Sequence, residues 1–198
     1  MKRKKIQAFV TTLAATFVVW TVLLLMLPYS AWAGLVVKLV VWGAFSLIVL
    51  KQHDLDVKSI VEKESSLKWV GMSLLLLVIY LLAVNKFRLD YSPLSLHFVV
   101  SAILISPVIE EFVFKVVVQN FTSQLIGEIK GNIFASILFV VYHIPLWLYR
   151  GNGVAAMNCL WVLVFSLWVG FAFNRTRSMK TCVVIHLCHN IVLGLFLS

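Results

Sequence analysis

Residues 101–121 read SAILISPVIEEFVFKVVVQNF, a stretch that is long and apolar enough to cross a lipid bilayer as one helix. Three ionisable residues nevertheless lie inside it: Glu110, Glu111 and Lys115. Each such side chain costs about 2.5–3.5 kcal/mol near the bilayer centre on insertion scales, so charged residues there usually have a function. A helix end at the membrane interface would explain one charge, but apolar residues continue on both sides of all three. The stretch therefore predicts a membrane helix that carries part of a functional site.

The rest of the chain is similarly apolar. It has 198 residues, 62% of them hydrophobic, and a mean hydropathy of +0.99, whereas soluble domains are about 45–50% apolar. We predict a single transmembrane domain, residues 1–198, that folds as an all-α polytopic membrane bundle of about seven transmembrane helices. The predicted spans are 7–27, 34–51, 68–85, 95–120, 131–149, 155–174 and 179–197.

The net charge of +9 does not predict nucleic-acid binding, because the basic residues lie at the ends of the apolar runs. In membrane proteins Lys and Arg are enriched in cytoplasmic loops, and this bias sets the orientation. An N-terminus in the cytoplasm places twelve of the 17 Lys and Arg residues on the cytoplasmic side and three outside. We therefore expect a multi-pass protein of the cell membrane, with its N-terminus inside and its C-terminus outside. The first span is too long for the core of a secretory signal, so we expect it to be retained as a helix.

The fourth span has a specific geometry. Consecutive helical residues point about 100° apart, so only one of Glu110 and Glu111 can face a given cavity. Glu111 and Lys115 stand four residues apart in the order that favours an ion pair. Pro107 lacks a backbone N–H, so the helix is expected to kink just before the two glutamates.

Two further spans carry polar residues at helical spacing. Phe139 and His143 are four residues apart in the fifth span, and His186 and Asn190 are four apart in the seventh. Each pair shares one helix face, whereas His189 points about 100° away from Asn190. Taken singly, a histidine is usually a hydrogen-bonded core residue, and an asparagine can simply join two helices. Their combination with the acidic residues of the fourth span is what indicates a site.

Carboxylate, imidazole and amide groups together can hydrolyse an amide bond without a serine or cysteine nucleophile. A carboxylate takes a proton from water, and an imidazole holds that water or gives a proton to the leaving group. Histidine and asparagine side chains can also donate hydrogen bonds to a developing oxyanion. The same groups could instead bind zinc through Glu110, His143 and His186. The HExxH motif of soluble zinc proteases is absent, so the sequence establishes no cofactor and leaves zinc as an alternative.

The polar residues fall into three ordered motifs that resemble those of the CPBP family, the intramembrane CAAX proteases and bacteriocin-processing enzymes also called Abi proteins. The motifs are Glu110-Glu111-x-x-x-Lys115, Phe139-x-x-x-His143 and His186-x-x-x-Asn190. The resemblance covers residues 95–197, which would form the catalytic core, and leaves residues 1–90 as N-terminal helices. It implies an intramembrane endopeptidase whose partner is a peptide or a membrane-anchored protein substrate in the lipid bilayer. The small size of the chain, as in the small members of that family, implies a bacterial host.

The resemblance also implies a role for each catalytic candidate. Glu110 would be the general base that activates water, and His143 would help to position that water. His186 and Asn190 would form the oxyanion site, and Glu111 would have a supporting role.

Two further motif positions would be supporting residues, Phe139 and Lys115. The family usually has arginine where Lys115 stands. Lysine keeps the positive charge but loses the planar, two-point grip that arginine has on a carboxylate.

Two other functions stay open at this point. A non-catalytic or weakly catalytic membrane protein for bacteriocin self-immunity or scaffolding is compatible with the small size and with Lys115. A transporter could use the same acidic residues, although the chain shows no internal repeat of the kind many transporters have.

Overall fold

The structure is a computed structural model that describes residues 2–28, 30–53, 55–83 and 95–196. Within these ranges every regular element is a helix and no strand is present, so the predicted all-α class is confirmed. In chain order the helices are α1 (Lys2–Met26), α2 (Ala31–Gln52), α3 (Val57–Glu62), α4 (Leu67–Ala83), π1 (Phe98–Ile105), α5 (Ser106–Glu111), π2 (Phe112–Gln119), α6 (Asn120–Ile126), α7 (Glu128–Tyr149), α8 (Ala156–Thr176) and α9 (Met179–Phe196).

Length and apolarity support a membrane bundle. Among the described residues, four helices are long and apolar enough to cross a bilayer, namely Arg3–Met26, Trp32–Gln52, Glu128–Tyr149 and Ala156–Thr176. Leu67–Leu82 and Met179–Leu195 are shorter apolar helices. Each predicted span falls on a helix or a run of helices, although the predicted residues 84 and 85, and residue 197, lie outside the described residues. The predicted span 95–120 stops short of its helix, which continues to Ile126.

Residues 98–126, which include the two adjacent glutamates, form a run of four short helical pieces, π1, α5, π2 and α6, with no break between them. We call this run the segmented helix. The backbone N–H of Ser106 donates to Ser101 O, five residues back, whereas Pro107 has no N–H to donate. The hydrogen bonding changes from π-helical to α-helical next to Pro107, and the predicted kink stays a prediction. Short π-helical pieces are frequent at functional sites, and here they flank the α-helical turn that carries both glutamates.

An aromatic core fixes helix α7 against helices α1 and α2. The rings of Trp20 and Tyr142 stack with their centroids 5.2 Å apart, and the Trp20 indole N–H donates to the Tyr142 carbonyl oxygen. Trp42 and Phe114 pack on the same tyrosine, and all four side chains are almost fully buried. Buried aromatic side chains contribute much of the packing energy of a core. This core therefore determines where Tyr142 and its neighbour His143 lie.

Helix α8 approaches α7 closely at a glycine. A Cβ atom on Gly170 would collide with the side chain of Asn132, so a larger residue here would displace Asn132. The Asn132 side chain in turn donates to the Leu167 carbonyl oxygen of α8. The close contact brings the backbone of α8 within reach of polar side chains on the segmented helix.

Candidate active site

An open cavity of about 590 Å³ lies between helices α2, α7, α9 and the first half of the segmented helix. Four of the residues singled out by sequence line it: Glu110, His143, His186 and Asn190. They come from three helices that are distant in sequence, so the tertiary structure brings them together. Glu111 points elsewhere, as the 100° separation from Glu110 requires.

Glu110 is 4% exposed, and its two oxygen atoms have different surroundings. Oε1 accepts hydrogen bonds from the Lys38 ammonium at 2.5 Å and from the Tyr142 hydroxyl at 3.0 Å. Lys38 also donates to the Ser106 hydroxyl at 2.7 Å, and it is itself 4% exposed. Oε2 lies 3.8 Å from His186 Nε2. One oxygen is thus held by protein donors, while the other is left for chemistry in the cavity.

Glu111 supports the histidine of the seventh predicted span. Its Oε1 lies 2.7 Å from His186 Nδ1, and because a carboxylate only accepts, the imidazole carries its proton on Nδ1. Glu111 Oε2 is buried and has no hydrogen-bond partner among the described residues. His186 therefore stands between the two glutamates of the first motif, with one ring nitrogen toward each.

The predicted ion pair between Glu111 and Lys115 is wrong. Lys115 is 1% exposed, and its ammonium donates to the carbonyl oxygen and the hydroxyl of Ser166 on α8, at 2.9 and 3.0 Å. Glu111 takes His186 of α9 as its partner instead. Contacts from two other helices have replaced the local contact that spacing along one helix favours. Lys115 ties the segmented helix to α8 and does not line the cavity.

His143 is held in one tautomer by its own helix. Its Nδ1 lies 2.7 Å from the Phe139 carbonyl oxygen, so this nitrogen carries the proton and Nε2 has a free lone pair in the neutral ring. Nε2 has no hydrogen-bond partner within the described part of the chain and can accept one from water. The Phe139 ring packs edge-on against His143, 4.6 Å between centroids, and also lies 6.1 Å from His186. Phe139 thus keeps both imidazoles in place.

Asn190 is fixed through both ends of its amide. The Nδ2 group donates to the Ala102 carbonyl oxygen at 2.7 Å, which leaves one N–H for the cavity. Its Oδ1 lies 3.3 Å from His189 Nδ1. The Trp161 indole N–H donates to His189 Nε2 at 3.0 Å, so His189 must donate from Nδ1 to Asn190. The Phe165 ring stacks on His189 at 3.9 Å.

Sequence reasoning missed three residues that contact the candidates: Lys38, Tyr142 and His189. Lys38 had a detectable signal, because a lysine within an apolar span is as costly as a glutamate there. Helix geometry points His189 away from the face of Asn190, but the side chains of adjacent residues can still form a hydrogen bond with each other. Tyr142 gave no signal, since tyrosine is common in membrane helices near an interface.

The residues proposed as zinc ligands do not fit a zinc site. Zinc needs three protein ligands with lone pairs aimed at one point. In the described ranges, no group of three His, Cys, Asp or Glu side chains is arranged to hold a metal ion. At Glu110 the ammonium of Lys38 is already paired with Oε1. A cation is present at the carboxylate, but it is part of the protein.

Comparison with known families agrees with this geometry. The family model described as type II CAAX prenyl endopeptidase Rce1-like matches residues 91–192, just over half of the chain. The chain belongs to this family. The resemblance to CPBP proteases is thereby confirmed, and the matched range contains all three motifs. No curated protein and no solved structure matches the chain.

Membership supports a general role as a CAAX-type protease in a membrane. It covers the segmented helix and helices α7, α8 and most of α9. Lys38 lies on α2, outside the matched residues, so its contact with Glu110 is a feature of this structure that the family match does not describe.

Proposed function

We propose that the chain is an intramembrane endopeptidase that hydrolyses a peptide bond with water activated by Glu110 and His143. The observation that carries the proposal is the meeting of a carboxylate, two imidazoles and an amide on one open cavity inside an apolar bundle. Its substrate is a peptide or a membrane-anchored protein whose scissile bond reaches this cavity.

The first step is attack by water. Glu110 Oε2 takes one proton while the water oxygen bonds to the carbonyl carbon, and the lone pair of His143 Nε2 accepts a hydrogen bond from the same water. Lys38 and Tyr142 hold Oε1, so the carboxylate cannot rotate away from the water. Holding reactants in the attacking geometry is itself a large part of enzymatic rate enhancement.

In the second step the tetrahedral intermediate is stabilised and then breaks down. Asn190 donates its free amide N–H to the oxyanion, and His186, protonated on both ring nitrogens, donates to it from Nε2. Glu111 accepts a hydrogen bond from Nδ1 and stabilises the positive charge that this ring carries throughout the reaction. When the carbon–nitrogen bond breaks, Glu110 passes the proton it took from water to the leaving amine. The base is then an ionised carboxylate again, and the atoms balance.

The direct test is cleavage by purified protein in lipid vesicles. A library of membrane-tethered peptides is incubated with the reconstituted protein, and mass spectrometry identifies new peptide ends. Bonds cleaved by the wild type and spared by a variant lacking the Glu110 carboxylate support the proposal. If the same bonds are cleaved at the same rate by both proteins, the proposal is wrong.

His189 is expected to act through Asn190. His189→Phe keeps the ring stacked on Phe165 but removes the hydrogen bond to Asn190 Oδ1, so kcat should fall about tenfold, the cost of one hydrogen bond. Asn190→Ala removes the oxyanion donor itself and should lower kcat by about 10²–10³-fold. Steady-state kinetics on a peptide cleaved by the wild type measure both effects. A His189→Phe protein with the wild-type kcat would show that Asn190 needs no such support.

A metal-free site predicts insensitivity to chelators. Because Lys38 already neutralises Glu110, cleavage should survive dialysis against EDTA, and elemental analysis should find no stoichiometric zinc in the purified protein. The control is Lys180→Met, which removes a distant surface charge and should behave like the wild type. Stoichiometric zinc that is lost in His143→Ala would overturn this prediction.

A further inference from the structure

Among the residues that the structure describes, the two ends of the helix bundle differ sharply in charge. Four chain segments rich in Lys and Arg gather at one end, and we call it the basic end. Its basic residues are 3–5, 51, 58, 63, 68, 130, 175, 177 and 180. The grouping is a property of the fold, because these segments are far apart in sequence.

Contacts between the segments establish the basic end directly. Lys180, at the start of α9, pairs with Glu64 at 2.6 Å, and the Ser178 hydroxyl donates to the Lys63 carbonyl oxygen. Arg177 donates to the Asn120 side chain at 2.6 Å, which brings the start of α6 to the same place. The N-terminal segment joins them, since the Lys5 side chain and the 50–57 stretch line one surface hollow.

The cavity leads toward the opposite end. Its outer lining includes Phe98 at the start of the segmented helix, Gly194 near the end of α9, and Arg150 and Asn152 just after α7. Arg150 and Asn152 are exposed, and no residue of the basic end lines the cavity. His143 precedes Arg150 by seven residues, which is about 10 Å along a helix with a rise of 1.5 Å per residue.

We infer that the cavity opens on the extracytoplasmic face of the membrane. Lys and Arg at the ends of membrane helices are retained on the cytoplasmic side, so the basic end is the cytoplasmic one. The mouth near Arg150 and Asn152 then faces the other compartment. The structure shows directly which loops share an end, whatever the number of membrane spans.

The consequence concerns the substrate, and it rests on the proposed function. The site takes a peptide segment that has already crossed the membrane, or the outer juxtamembrane part of an anchored protein. No residue of the basic end lines the cavity, so a segment in the cytoplasm would have to reach Glu110 through the lipid. Burying the polar backbone of such a segment in lipid costs several kcal/mol for each unsatisfied group.

Cysteine labelling tests the side of the mouth without relying on proteolysis. Asn152→Cys and Lys63→Cys are made in a background where the partly exposed Cys159 and Cys188 are replaced by alanine. A membrane-impermeant maleimide added to intact cells should label Asn152→Cys and should label Lys63→Cys only after the membrane is permeabilised. Labelling of Lys63→Cys alone in intact cells would overturn the inference.

A second experiment separates this inference from the proposed function. A peptide that the wild type cleaves is fused to a single-span anchor so that it is presented on one side or on the other. We expect cleavage dependent on Glu110 only for the extracytoplasmic fusion. Glu110-dependent cleavage of the cytoplasmic fusion alone would refute the inference and leave the proposed function standing. Cleavage of either fusion that is unchanged by Glu110→Gln would refute the proposed function, while the labelling still decides the side of the mouth.

Discussion

Replacing Glu110 by glutamine is expected to reduce peptide hydrolysis by about 10²–10⁴-fold, the usual contribution of a general base. Glutamine has nearly the same shape and can still contact Tyr142, but it cannot take a proton from water. Single-turnover cleavage of a membrane-tethered peptide measures the loss with substrate binding saturated. The effect should therefore be seen in the rate of the chemical step and not in substrate affinity.

Glu111→Gln is the matched control for this result, because it makes the same change at the next residue. Glu111 has no place on the cavity, so its loss should act only through His186 and should cost less than the loss of Glu110. Equal activity of Glu110→Gln and the wild type would refute the proposed mechanism. If a cellular phenotype of the protein survived Glu110→Gln at unchanged expression, a non-catalytic role in immunity or scaffolding would explain that phenotype.

Lys38→Met is expected to lower kcat by about 10²-fold, comparable to the loss of one preorganised electrostatic contact in an active site. Lys38 and Glu110 form a buried ion pair, so removing one partner leaves an uncompensated charge and should cost about 3–5 kcal/mol of stability. The carboxylate would also be free to rotate, because only Tyr142 would still hold Oε1. Kinetics in lipid vesicles and thermal unfolding in detergent measure the two effects separately.

Two further variants distinguish positioning from folding. Lys38→Arg keeps the charge and should recover a large part of both activity and stability. The double variant Lys38→Met with Glu110→Gln removes both charges, so it should regain stability but not activity. Lys180→Met breaks the exposed Lys180–Glu64 pair and should change neither, since exposed pairs contribute about 0–1 kcal/mol. A Lys38→Met protein with wild-type kcat would show that the ion pair has no part in catalysis.

The class of the fold followed from composition alone. An apolar content of 62% distributed in runs of about 20 residues leaves few alternatives to membrane helices, because every backbone group in lipid must be bonded within its own segment. The ends of the spans were less predictable. The segmented helix continues to Ile126, past the polar residues 119 and 120, because Gln119 bonds to α8 and its polarity no longer marks an end.

The residues on the cavity could be proposed from sequence because each is costly in lipid. Glu110, His143, His186 and Asn190 stand out against apolar neighbours on three separate spans. That cost is a local property, so it is visible without knowing which helices are neighbours. The angle of about 100° between consecutive helical residues also predicts that Glu110 and Glu111 face different partners.

The partners themselves were decided only by the tertiary structure. Spacing along one helix favoured a pair between Glu111 and Lys115, but His186 and Ser166 on two other helices supply closer partners. Lys38 could be recognised as costly in lipid, yet nothing along the chain shows that it meets Glu110, 72 residues away. Helix periodicity describes the faces of one helix, whereas a pair between helices depends on how those faces pack together.

The charged residues within 101–121 show what the sequence determines and what the tertiary structure determines. By itself the sequence determined that this stretch is a membrane helix and that its charged residues need partners, since hydration is not available in lipid. Only the packing of the helices decided which partners they have: Lys38 for Glu110, His186 for Glu111 and Ser166 for Lys115. The free-energy cost of an unpaired charge in lipid depends on the residue and its surroundings. Whether a partner offsets that cost depends on which side chains of distant segments the fold brings close together.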